Sequence, residues 1–114
     1  MKKAIIIGSG IAGIASAIRL QNKGYVVQVL EKNAYPGGKL TQLKGNGFRF
    51  DAGPSLFTMP NLVNELFEIS GKNPSDYFNF DKLDILCNYF YEDGTLISAN
   101  SDINIFADEI DKKT

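Results

Sequence analysis

The stretch that decides the fold is Ala4-Ile5-Ile6-Ile7-Gly8-Ser9-Gly10-Ile11-Ala12-Gly13. It opens with a short isoleucine-rich run that ends at a glycine, a pattern typical of a strand buried on both faces. From Ile11 to Asn22 the apolar residues recur at helical spacing instead. A second β-branched run follows over residues 25–30. The order strand, glycine turn, helix, strand predicts a parallel βαβ unit with a right-handed crossover.

The glycines of this stretch have the spacing GxGxxG, between a buried strand and a helix start. Gly8 can supply the tight turn, Gly10 lets the backbone approach a pyrophosphate, and Gly13 lets the helix pack closely on the strand. Free N–H groups and the helix dipole then face the phosphates. Glu31, at the end of the second strand, can accept both ribose hydroxyls of an adenosine and disfavours a 2′-phosphate. The pattern predicts a dinucleotide site, disfavours NADP and leaves FAD and NAD open.

Turn residues predict the elements farther along the chain. A β-hairpin is predicted around Gly45-Asn46-Gly47 and a second one around Asp93-Gly94. Met59-Pro60 precedes a predicted helix over residues 61–70, and Ser101 or Asp102 can cap a last helix. After about residue 60, glycine becomes rarer and aromatic and acidic residues increase, which places a predicted boundary between two substructures there.

Composition excludes several classes of function. The 114 residues carry a net charge near −1, so nothing favours nucleic acid as a partner. Histidine is absent, which excludes Ser-His-Asp and Cys-His nucleophiles and histidine-ligated metals, and no metal site is predicted. The single cysteine, Cys87, is typical of a reducing compartment. No apolar run reaches the roughly 18 residues of a membrane span, so a cytoplasmic location is predicted.

Two further motifs carry a resemblance to a known family. Gly37-Gly38-Lys39 and Asp51-Ala52-Gly53-Pro54-Ser55 follow Glu31 in the order and approximate spacing of the phytoene desaturase (phytoene dehydrogenase) family. These flavoproteins are FAD-dependent carotenoid oxidoreductases within the broader flavin amine oxidase-like group. The resemblance covers nearly the whole chain. Family members are several times longer, so the chain resembles their N-terminal portion.

The resemblance implies FAD as the cofactor and assigns roles to single residues. Glu31 looks like the ribose acceptor, Lys32 would lie beside the adenosine, and Lys39 would approach the phosphates or the flavin. Most relatives have arginine at the position of Lys39, and lysine makes a single charge contact rather than a bidentate one. The implied cofactor-binding residues are Gly8, Ser9, Gly10, Ile11, Ala12, Gly13, Glu31, Lys32, Gly38, Lys39, Gly53, Pro54 and Ser55.

For the fold, the resemblance implies an α/β architecture with two regions. Residues 1–59 would form a Rossmann-type FAD-binding region with its βαβ unit and hairpin, and residues 60–114 the beginning of a helix-plus-sheet substrate domain. The activity implied is hydride removal from a carbon–carbon single bond of a C30 or C40 polyene to the flavin, which introduces a double bond. No catalytic residue is assigned, and the 114-residue chain alone is expected to be inactive. An apolar polyene also implies peripheral membrane contact.

Several alternatives stay open at this point. An FAD-dependent carotenoid isomerase, a retinol saturase-like reductase or an amine oxidase relative would use the same cofactor. The chain could also be an inactive dinucleotide-binding fragment, or an NAD-binding Rossmann domain, in which Gly37-Gly38-Lys39 has no obvious role. The apolar residues Phe48, Phe50, Leu56 and Phe57 are interpreted as ordinary core, with the lining of a polyene site as the other reading. Oligomeric state, electron acceptor and number of desaturations are open.

Overall fold

The isoleucine-rich run and the β-branched run pair as parallel strands. The computed structural model describes residues 1–54 and 56–113. Strand β1 (Lys3–Ile7) and strand β2 (Val26–Leu30) lie side by side, with Ile5 opposite Gln28. Helix α1 (Ile11–Asn22) connects them, and the left-handed backbone of Gly24 (φ +83°) turns the chain into β2. The predicted βαβ unit is confirmed.

A tight hairpin follows the βαβ unit. Strand β3 (Thr41–Gly45) and strand β4 (Phe48–Ala52) are antiparallel. Their two connecting residues, Asn46 and Gly47, have φ of +49° and +81°, which is the backbone of a two-residue hairpin turn that matches strand twist. Phe48 and Phe50 stack on one face and are 67% and 63% exposed, so their interpretation as ordinary core is wrong.

Helix α2 (Pro60–Glu68) packs beside α1. Pro60 occupies its first turn, where a missing N–H costs nothing, and Gly71 (φ +68°) turns the chain away just past its end. The guanidinium of Arg19 on α1 donates to both carboxylate oxygens of Glu65 on α2, at 2.8 and 3.0 Å. This bidentate pair joins α2 to α1.

The C-terminal part of the chain is a hairpin followed by a helix. Strand β5 (Ile85–Phe90) pairs antiparallel with strand β6 (Leu96–Asn100). Helix α3 (Ile103–Asp111) is capped by Asp102, whose carboxylate accepts the N–H of Asn104 at 2.9 Å. The predicted Asp93-Gly94 hairpin and the predicted cap are both confirmed.

The chain divides into two compact units, Met1–Phe78 and the part that starts at Asn79. Helix α2 therefore belongs to the same unit as the βαβ unit, although the boundary predicted from composition precedes it. The functional division into a cofactor region and a substrate domain stays a prediction. Large apolar side chains of the first unit are exposed, among them Ile5 and Ile7 on β1, at 62% and 89%. Within the described residues, no helix is long and apolar enough to cross a bilayer.

Candidate dinucleotide-binding site

The glycine loop is held to the sheet and to the helix by backbone contacts. Gly8 has a left-handed backbone (φ +95°), and its N–H donates to the carbonyl of Leu30 at 2.7 Å. A Cβ built on Gly13 would lie 2.1 Å from the carbonyl oxygen of Gly8. Helix α1 can therefore begin directly over the loop only because residue 13 has no side chain, which is the role that the spacing predicts.

The start of α1 is open, and the first turn of the helix carries no acidic residue. Gly10 precedes the helix in an extended conformation, and no side chain of the described residues caps it. The first N–H groups of a helix have no partner within the helix, and together with the dipole they attract an anion. A Cβ on Gly10 would meet no atom within 4 Å. The backbone thus leaves room for a group to approach, and the residues present fit a pyrophosphate.

The Gly37-Gly38 segment packs directly against this loop. The N–H of Gly37 donates to the carbonyl of Ser9 at 2.8 Å, and Gly37 forms a parallel bridge with Gly10. A Cβ on Gly38 would lie 3.2 Å from the Cα of Gly10. The sequence reasoning did not include Gly37 among the site residues. The run Pro36-Gly37-Gly38 was the available signal in the sequence, since consecutive glycines favour the positive φ that both of them have in the structure.

The second family-like motif packs on the first. Gly53 has φ of +123°, and a Cβ there would lie 2.1 Å from the carbonyl oxygen of Lys39. The structure therefore brings Gly10, Gly38, Lys39 and Gly53 into one chain of backbone contacts. Ser55, the last predicted member of the site, lies outside the described residues.

An apolar groove of about 650 Å³ extends from the helix start. Leu56 and Phe57 line this groove, which supports the interpretation of these two residues as lining. Lys39 also lines it and is exposed. The exposed Lys32 is not among the described lining residues, nor is Asp51. The lining comprises Gly10, Ile11, Ala12, Gly37, Gly38, Lys39, Leu40, Pro54, Leu56, Phe57, Thr58, Met59, Leu62 and Val63.

Helix α2 and the residue before β3 contribute lining that sequence reasoning missed. These residues are Leu40, Leu62 and Val63. No sequence signal distinguishes an apolar residue that lines a groove from one that belongs to the core. Leu62 and Val63 line the groove because α2 packs beside α1.

Glu31 is fixed by three hydrogen bonds. The N–H of Asn33 donates to Oε1 at 3.0 Å, and the N–H and hydroxyl of Ser9 donate to Oε2 at 2.7 and 2.9 Å. The Asn33 N–H, followed by the two Ser9 donors, lowers the pKa of the Glu31 carboxyl to about 2. At neutral pH the carboxylate beside the loop is charged. It can accept a hydrogen bond from a ribose hydroxyl, and it repels a 2′-phosphate.

Because the pKa of Glu31 is lowered, the free energy of unfolding is expected to depend on pH in the acid range. A carboxyl whose pKa is lower in the folded state stabilises it fully above its unfolded pKa, near 4.3, and loses that contribution as pH falls through the folded value. We therefore expect wild-type stability to fall between about pH 4.5 and pH 2. Glu31→Gln is expected to be less stable than wild type at pH 7 and to lose less stability over this acid range. Urea unfolding at a series of pH values measures both.

Glu68→Gln is the matched control for this experiment. Glu68 is exposed at the end of α2, and no hydrogen bond to its side chain is present among the described residues. If Glu31→Gln and Glu68→Gln gave the same acid dependence, the hydrogen bonds of Glu31 would not be responsible for it.

Residues 6–69, more than half of the chain, match the family model described as an NAD(P)-binding Rossmann-like domain. The chain belongs to this family. Membership agrees with the observed βαβ unit and open helix start, and it supports a dinucleotide cofactor, flavin or nicotinamide. The α/β fold class predicted from the sequence is confirmed.

Curated relatives are carotenoid enzymes. The chain is 55% identical over 107 residues to a 1-hydroxycarotenoid 3,4-desaturase of Flavobacterium, an alignment that covers 94% of this Rossmann-like chain and 22% of the relative. It is 40% identical over 111 residues to a 4,4′-diapolycopene oxygenase of Methylomonas, covering 97% and 22%. The resemblance to phytoene desaturase-like carotenoid oxidoreductases is confirmed. The chain spans about a fifth of the length of these relatives.

A solved structure shares the fold. A protein of Pyrococcus furiosus superposes with a TM-score of 0.54 at 22% identity, over 82% of this chain and 24% of that one. This likeness concerns the fold alone.

Proposed function

We propose that this chain is the FAD-binding part of an oxidoreductase that introduces double bonds into a C30 or C40 carotenoid. The observation that carries the proposal is the contact of Gly37-Gly38 with the glycine loop at Gly10. A Rossmann loop alone serves FAD and NAD equally. The Gly-Gly-Lys segment packs against that loop and leads into an apolar groove. This arrangement favours FAD over NAD, because the flavin ring is longer and flatter than a nicotinamide.

The residues divide the proposed cofactor between them. The N–H groups at the start of α1 would hold the pyrophosphate, Glu31 would accept the adenosine ribose, and the Lys39 ammonium would offset phosphate charge. Gly53 and Pro54 would stand along the path from the phosphates to the flavin ring. The flavin, when bound, supplies the hydride-accepting chemistry. The chain's own contribution is to bind it, orient it and exclude water with apolar walls.

The groove and the relatives support a polyene as the substrate class. Leu56, Phe57 and Met59 offer apolar surface next to the proposed flavin path, and both curated relatives carry carotenoids in their names. We propose a cytoplasmic protein that contacts membranes peripherally, because a polyene resides in a bilayer. Absorption spectra of a C40 polyene incubated with FAD and with a protein that has the full length of the relatives and contains this chain test the desaturase assignment, since each added double bond shifts the absorption to longer wavelength.

Parallel calorimetric titrations of the purified chain with FAD, NAD and NADP test the cofactor. We expect FAD to bind at least about tenfold more tightly than NAD, a difference of about 1.4 kcal/mol. NADP is expected to bind most weakly, because its 2′-phosphate would meet the charged Glu31. Tighter binding of NAD would replace the flavin assignment with a nicotinamide one, which is the alternative that the family description itself favours. No binding of any of the three would contradict a dinucleotide role for this chain.

A further inference from the structure

Met59 has a backbone conformation that its side chain disfavours. It precedes helix α2 with φ of +54° and ψ of +50°, in the left-handed region, where an L side chain crowds the following carbonyl oxygen. The next residue is Pro60, and a residue before proline is restricted further, to extended backbone. Among the described residues, the other non-glycine with positive φ is Asn46, in the hairpin turn, and asparagine tolerates this conformation. Met59 is therefore a strained position.

Helix formation does not account for this strain. The position before a helix favours serine, threonine, aspartate or asparagine, whose side chains accept an N–H of the first turn. Methionine offers no such acceptor, and within the described part of the chain no side chain caps α2. Burial does not account for the strain either, because Met59 is 61% exposed. Glycine at this position would adopt the same backbone without steric cost.

Met59 lines the apolar groove that extends from the start of α1. The next turn of the chain supplies Leu62 and Val63 to the same groove, which begins at Gly10. A methionine side chain is unbranched and has a polarizable thioether, so it adapts its shape to an apolar ligand. Strained backbone positions cluster at ligand sites, because the strain is retained where a side chain is needed for function. Strain and exposure together thus indicate a ligand contact at Met59.

We propose that Met59 is a specificity-determining residue whose side chain contacts the polyene in the groove. The proposal rests on the proposed function and deepens it, because it names a residue that selects the substrate. The left-handed backbone holds an apolar side chain at the groove. Glycine would supply no side chain there, and asparagine would supply a polar one. The Met59 side chain is exposed in the free protein and becomes covered when the polyene binds.

Fluorescence titration with trans-parinaric acid, a conjugated polyene acid, tests the proposal by affinity rather than by activity. Met59→Gly is expected to bind this probe about tenfold more weakly than the wild type, because the apolar contact is lost. Its midpoint of urea unfolding is expected to stay equal or to rise, because glycine relieves the strain. Met59→Leu keeps an apolar side chain of similar volume and is expected to bind the probe within about threefold of the wild type.

Asn46→Gly is the matched control. It introduces glycine at the other left-handed position, in a turn that does not line the groove among the described residues, so the affinity for the probe is expected to stay unchanged. Each protein is also titrated with FAD, whose affinity we expect to be the same in all of them. Circular dichroism checks folding. If Met59→Gly is not folded, Met59→Asn removes the apolar side chain with a residue that tolerates this backbone.

Undiminished binding of the probe by folded Met59→Gly would overturn the proposal. A loss of FAD affinity without a loss of probe affinity would overturn it too, because Met59 would then contact the cofactor. A lower unfolding midpoint of Met59→Gly would also contradict it, since the side chain would then serve the fold. Absence of probe binding to the wild type would instead contradict the proposed substrate class, and the proposal with it.

Discussion

Replacing Gly13 by alanine is expected to lower the free energy of unfolding by about 1–3 kcal/mol, the usual cost of overpacking. The added Cβ would lie 2.1 Å from the carbonyl oxygen of Gly8. Gly8 is itself held in the turn, because its N–H donates to the carbonyl of Leu30. Neither side of this contact is a flexible side chain, so helix α1 must shift away from the loop. Urea unfolding of both proteins measures the difference.

Ser16→Ala is the matched control on the same helix. Ser16 is exposed in α1, so alanine there is expected to leave stability unchanged or raise it slightly, through its higher helix propensity. If Gly13→Ala were as stable as Ser16→Ala, helix α1 would not be packed against the loop as closely as the structure has it.

Replacing Gly10 by valine is expected to weaken dinucleotide binding by about a hundredfold, the loss of roughly two charge-assisted hydrogen bonds. Gly10 has an ordinary extended backbone, φ −69° and ψ 174°, and a Cβ there meets no atom within 4 Å. The valine side chain is therefore accommodated by the fold but occupies the space in front of the helix start. We expect the free energy of unfolding to fall by no more than about 1 kcal/mol, because valine is a poorer residue than glycine before a helix start but meets no atom there.

Gly45→Val provides a comparison of the same chemical change. Gly45 also has an open surrounding and no positive φ, but it lies at the end of β3 in the hairpin and does not line the groove among the described residues. Calorimetric titration of both variants with FAD and NAD is the measurement. Undiminished binding by folded Gly10→Val would place the pyrophosphate elsewhere.

The local parts of this fold could be predicted from the sequence. The βαβ unit was predictable because the period of its apolar residues changes from strand to helix at a glycine. The hairpin at Asn46-Gly47 was predictable because few residue pairs tolerate two consecutive left-handed backbones. The loop glycines were likewise predictable, since each has a distinct steric role. These features depend on residues that are close in the chain.

The parts that depend on distant residues were not predictable. Arg19 and Glu65 are 46 positions apart, and nothing local to either residue indicates their pairing. The contact of Gly53 with the Lys39 carbonyl likewise exists only after the hairpin has formed. The hydrogen bonds from Ser9 to Glu31 were not predicted, because a serine in a glycine loop was interpreted as a small residue and not as a hydrogen-bond donor.

The glycine loop, the Gly37-Gly38 segment and the turn at Gly53 approach one another through backbone atoms, at Gly13 with Gly8, at Gly38 with Gly10, and at Gly53 with Lys39. The shape of the site is therefore independent of the chemical identity of most side chains around it. The groove walls and the charged positions 32 and 39 can vary without disturbing the scaffold. A protein designer could accordingly exchange the groove lining to change what binds beside the cofactor, provided that these glycines are left in place.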